Sequence, residues 1–148
     1  MEPPETLPVE LARSRAAAAA ELLARDPRVR LVFLFGSAAD PDARQVGDVD
    51  LAIWCQPPLE PFDRFRLADE LELALGGPVD LVVLNRAPVV LAAEVASTGR
   101  CLFARDPDEE LEYRCRARAQ YWDFKPYLDE QWRLIGERLA ARTHGSQG

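Results

Sequence analysis

The chain has 148 residues, 48% of them hydrophobic and 29% charged, with a formal net charge of −7. That length suits one domain with a single buried core, and the composition excludes a disordered chain. No apolar run approaches the roughly 18–20 residues of a membrane span, and the acidic start, with Glu2 and Glu5, lacks the basic segment of a secretory leader. The acidic balance and the want of a basic stripe argue against direct nucleic-acid binding. Cys55, Cys101 and Cys115 are odd in number and widely spaced. They read as reduced thiols of a cytoplasmic protein rather than as a disulfide framework or a zinc site.

In chain order, Thr6 to Asp26 reads as a first helix, with Val9, Ala12, Ala16, Ala19, Leu22 and Leu23 at helical spacing and Pro8 in the first turn. Val29 to Phe35, apolar except for Arg30, is a first strand. A helix or ordered loop starts at Ser37 and is interrupted at Asp40-Pro41. Asp48 to Trp54 is a second strand, ended by Pro57-Pro58. Pro61 to Leu75 is a helix with Phe62, Phe65, Leu67, Leu71 and Leu75 as its core positions, stopped by the Gly76-Gly77 pair. Val79 to Leu84 is a third strand, Pro88 to Thr98 a helix closed by Gly99, and Cys101 to Phe103 a short fourth strand.

Asp106-Pro107-Asp108-Glu109 carries the marks of a helix start: a capping Asp, then Pro at the first position. This last helix runs toward Arg142, with Pro126 expected to kink or break it. Beyond the proline, Leu128, Trp132, Ile135 and Leu139 form a stripe expected to pack on the domain itself. Six aromatics between Tyr113 and Trp132 also suit a protein interface. The tail from Thr143, which holds the single histidine, His144, is polar and expected to fray. The class is α/β: a small mixed sheet with flanking helices (28–104) and a long C-terminal helical arm (106–142) in one domain.

The segment richest in chemistry is Phe35-Gly36-Ser37, followed ten residues later by Asp48-Val49-Asp50-Leu51. Strand residues two apart share a face, so Asp48 and Asp50 project together. Carboxylates that close repel each other unless a cation sits between them, and hard oxygen ligands suit Mg²⁺ with substrate phosphates. Gly36 permits close backbone approach to a ligand, and Ser37 offers a hydroxyl at the start of the next element. Asp80 stands second in an otherwise apolar strand, where a charge is costly without a partner or solvent. Arg44, in the intervening loop, reads as an exposed arginine.

Gly-Ser, Asp-x-Asp and a third strand-borne Asp, in this order, resemble the nucleotidyltransferase superfamily that includes DNA polymerase beta. The spacing, with Val79-Asp80-Leu81-Val82-Val83-Leu84-Asn85-Arg86-Ala87-Pro88, looks like its minimal (MNT-type) members, many of them antitoxins paired with HEPN-domain toxins. The family often carries Ser just before the first Asp, where this chain has Gly47; a second-sphere hydroxyl is lost there, not a ligand.

The resemblance implies that Asp48, Asp50 and Asp80 bind a pair of Mg²⁺ ions, about 4 Å apart in such sites. It also implies that Gly36 and Ser37 hold the phosphates of ATP. AMP would pass to a hydroxyl, expected to be a tyrosine, of a HEPN ribonuclease toxin. The chain has little beyond its sheet and one arm, so the acceptor brings its own structure. Two alternatives stay open: an antitoxin that only masks its partner, and a transferase for a small hydroxylated compound that completes its pocket as a homodimer.

Overall fold

The computed structural model describes residues 6–145. Its first element is a two-residue strand, β1 (Leu7–Pro8), which pairs antiparallel with β3 (Gln45–Val46). The backbone N–H of Val9 then donates to Arg44 O at 2.8 Å. This ribbon takes Leu7 and Pro8 out of the expected first helix, so α1 spans Val9–Leu23. Ala12, Ala16, Ala19, Ala20 and Leu23 form its buried side. Small side chains there let the helix lie close to the sheet. At its other end Asp26 Oδ1 accepts from the backbone N–H of Arg28 at 3.0 Å, turning the chain into the first long strand.

That strand, β2 (Val29–Phe35), is buried along its length except at Arg30, which pairs with Glu109. It is flanked antiparallel by β4 (Val49–Cys55) and β6 (Arg100–Ala104). β4 pairs in parallel with β5 (Val79–Val83), giving the order β5-β4-β2-β6. Alternation sorts the side chains onto two faces. On one, Val32, Leu34, Leu51, Ile53 and Leu81 pack with α1 and with Leu71 of α2 (Pro61–Leu75). On the other, Leu31, Phe33, Phe35 and Ala52 meet α3 (Val89–Thr98) and the start of α4 (Pro107–Gly145), chiefly through Val95, Ala96, Tyr113 and Ala117.

Two helical faces depart from the sequence expectation. Phe62 and Phe65 of α2 are 73% and 67% exposed. A 3.6-residue turn sets Phe62 on the side opposite Leu71, and the line of Leu67, Ala68, Leu71 and Leu75 meets the core. The cap at the end of α2 is as expected, with Gly76 left-handed at φ 71°.

The second departure is α4, whose 39 residues would extend about 58 Å. Pro126 does not end it, and the helix continues through Thr143 to Gly145, where fraying was expected. Ala117 is its last buried residue. Beyond it Leu128 is half-buried, but Trp132, Ile135 and Leu139 are 69%, 42% and 57% exposed, so the expected packing of these three on the domain does not occur. The four-stranded sheet is too narrow to reach under them. Trp132→Ala should therefore change stability by no more than about 0.5 kcal/mol, against the roughly 3–5 kcal/mol of a truncated core aromatic; a urea melt of the purified variant measures this. The side chain of His144 and residues 146–148 lie outside the described residues.

Candidate active site

β2 ends beside the start of β4, its antiparallel neighbour. Phe35, the last residue of β2, is the register partner of Asp50. Gly36 follows at φ 73° and opens a 3-10 turn, Gly36–Ala39, that leaves Ser37 exposed. Glycine is required here twice over. The backbone is left-handed, and an added Cβ would run into Asp50 Oδ2 and lie 3.2 Å from Asp50 Cγ. The phosphate-grip candidate and the carboxylate thus touch through the missing side chain.

The carboxylates come together through strand register. Asp50 pairs directly with Asp80 across the parallel β4–β5 ladder, and Asp48 stands two residues before Asp50. Asp50 and Asp80 fall on the sheet face covered by α3 and α4, and Asp48, expected to open the strand, lies one residue before it, because β4 begins at Val49. Asp48 and Asp80 are exposed, while Asp50 is half-buried. The Asp50 carboxyl is pushed up to about 6, first by burial and then by the negative charges of Asp80, Asp48 and Glu94.

Among the described residues no three His, Cys, Asp or Glu side chains are gathered tightly enough to hold a metal ion as they stand. The donor set nevertheless suits one. It is all carboxylate oxygen, and its mutual repulsion is the condition a divalent cation relieves.

Two arginines hold the Gly-Ser turn from behind. Arg13 of α1 donates through Nε to Ala38 O at 3.1 Å and through Nη2 to Asp40 O at 2.9 Å. Arg100 of β6 donates through Nε to Ala39 O at 3.1 Å. Three successive carbonyls are thereby tied down by positive charge. Sequence reasoning missed both residues, and it missed Glu94. The only signal for Glu94 is a lone charge within the apolar run from Val89 to Ala96. Arg44 is exposed, as expected.

A cleft of about 450 Å³ lies at the turn, lined by Gly36, Ala39, Asp40, Pro41 and Thr98. Another, of about 310 Å³, follows the open edge of β5 and is lined by Asp80, Arg64 and Arg86 among others. The larger hollow between α1 and α2, about 740 Å³, contains none of the three aspartates and stands apart from this chemistry.

Comparison with known proteins identifies the family. The family model described as Polymerase beta, Nucleotidyltransferase matches residues 18–108, more than half of the chain. A protein adenylyltransferase, MntA of Shewanella oneidensis, is 36% identical over 85 residues. The match spans 57% of this chain and 61% of that protein, so the chain covers less than two thirds of the relative's length. Among solved structures, a toxin-antitoxin complex with AMP-PNP is similar at a TM-score of 0.67 and 26% identity, covering 78% of this chain and 98% of the other. A tri-AMPylated HEPN toxin in complex with MNT antitoxin, from Shewanella oneidensis, matches at 0.65 and 27%, covering 82% and 98%. Turn, register and family match lead to one statement: the chain belongs to the polymerase beta nucleotidyltransferase family.

Proposed function

We propose that this protein is an antitoxin that transfers AMP from ATP to a hydroxyl, a tyrosine's, of a HEPN ribonuclease toxin. The observation that carries this reading is the Asp50–Asp80 register pair set against the Gly36 turn. The adenylyltransferase relative and the AMPylated toxin complex supply the reaction and the partner by analogy.

In this reading the backbone N–H groups at Gly36 and Ser37 face the terminal phosphates. Arg13 and Arg100 keep the turn rigid and add positive charge behind it. Asp48, Asp50 and Asp80 would hold Mg²⁺, two ions in this family. When bound, the metal offsets the charge of the triphosphate and of the departing pyrophosphate. The acceptor oxygen attacks the α-phosphorus, the bond from that phosphorus to the bridging oxygen breaks, and pyrophosphate leaves. Asp80, on the exposed edge strand, takes the hydroxyl proton. A cytoplasmic location belongs to the same reading, since the cytoplasm supplies ATP. Among the described residues no helix is long and apolar enough to cross a membrane.

Each AMP adds a negative phosphodiester to the toxin, which would repel an RNA backbone near the cutting site. The exposed stripe on α4 favours a second reading, masking by contact alone, because apolar helix faces suit protein interfaces. A covalent mark outlasts the complex, whereas masking does not. The toxin is treated with this protein and MgATP, separated under denaturing conditions and refolded. Transfer predicts added AMP mass and lost RNA cleavage; unmodified mass with full cleavage rules it out.

A further inference from the structure

The face of the sheet that carries Asp50 and Asp80 is covered by α3 and α4. On α3, Glu94, Ser97 and Thr98 stand three and four residues apart, along one side of the helix. Thr98 lines the cleft at Gly36. One residue back, Ser97 and Glu94 line a separate groove of about 450 Å³, walled on its far side by Arg118, Tyr121 and Trp122 of α4. At 1.5 Å per residue, Thr98 and Val90, which also lines the groove, are about 12 Å apart along the helix. The two hollows are therefore neighbouring stations on one helix, with the phosphate grip at one end.

The chemistry of the groove differs from that of the grip. Glu94, whose charge reaches Asp50, disfavours phosphate and favours a hydroxyl donor. Trp122 is 66% exposed and sits edge-on to Tyr121, with ring centroids 6.1 Å apart, so it offers a rigid aromatic surface to a flat ligand. Arg118, bonded to Ala96 O at 3.3 Å, borders the same space. We propose that the groove between α3 and α4 binds the nucleoside of the donor, with the base stacked on Trp122 and the ribose hydroxyls donating to Glu94. This rests on the adenylyl-transfer reading and adds to it the place of the base.

The test is calorimetric titration of the full chain alone with MgATP, and separately with magnesium tripolyphosphate, which carries no nucleoside. Trp122→Ala should weaken ATP binding by about tenfold, the loss expected for one base–aromatic stack, while Trp122→Phe stays within about threefold of the parent. Tripolyphosphate affinity should be the same in all three proteins, which general damage to the fold would not allow. Glu94→Ala, which removes the acceptor, should erase the preference for ATP over 2′-deoxyATP. ATP binding by Trp122→Ala as tight as that of the parent overturns the groove assignment, and AMP transfer to the toxin then remains intact as a reading. A parent chain that binds tripolyphosphate but gains nothing from the nucleoside also overturns the groove. A parent that binds neither overturns both.

Discussion

Asp48→Asn combined with Asp50→Asn should abolish AMP transfer, with a loss of at least about a thousandfold, while the metal-free fold becomes more stable at neutral pH. The two effects share one cause. Asp50 is half-buried beside Asp80 and Asp48, which raises its carboxyl from 3.8 to about 6. Between those values the native state holds a proton that the unfolded chain has already lost. Stability therefore falls as pH rises through this window, and the cost is complete above pH 6 or so. The full shift corresponds to about 3 kcal/mol; solvent at the site reduces the expected gain from neutralising Asp50 to about 1 kcal/mol at pH 7.5. Near pH 3.5 the gain should nearly vanish, because Asp50 is then mostly protonated in both states. Urea melts with a chelator present, at the two pH values, measure this. A folded double variant with undiminished transfer would remove the carboxylates from the chemistry. One that is less stable than the parent at pH 7.5 would show that they serve as structural partners.

What could be read from the sequence was what depends on short range. Strand alternation put Asp48 and Asp50 on one face, and the Gly76 cap and the apolar run from Val29 to Phe35 were local signals of the same kind. Pairing was not legible. That Asp80 lies opposite Asp50 follows from a parallel ladder between strands separated by a whole helix, and no local pattern encodes that register. The arginines behind the Gly-Ser turn come from α1 and β6, elements that only the finished fold brings together. The β1–β3 ribbon is two residues long on each side, too short for any periodicity. Periodicity also failed in a specific way on α2 and α4. On α4 it located an apolar stripe but could not say whether the domain was wide enough to cover it, and at Trp132 it is not, while on α2 Phe62 and Phe65 stand off the line through Leu71 that meets the core. The uncovered arm leaves apolar surface available to a partner chain.

Gly36→Ala should nearly abolish the proposed AMP transfer, and Gly76→Ala should not, although the two glycines share a backbone conformation. Their φ values are 73° and 71°, so a methyl group costs each about 1–2 kcal/mol of left-handed strain. The surroundings separate them. Among the described residues nothing lies within 4 Å of a Cβ at Gly76, whereas at Gly36 the same atom meets the Asp50 carboxylate. Relief requires either Asp50 to swing away from Asp80 or the turn to retreat from the sheet. Both separate the phosphate grip from the carboxylates, and a displacement of about 1 Å in such a site costs on the order of a hundredfold in rate. The expected pair of results is therefore similar losses of stability, with activity retained in Gly76→Ala and reduced at least about a hundredfold in Gly36→Ala. Measuring AMP incorporation into the toxin beside urea melts of both variants decides it. Near-normal incorporation by Gly36→Ala would mean that the contact between the turn and Asp50 plays no part in catalysis, and would leave the glycine with its backbone role alone.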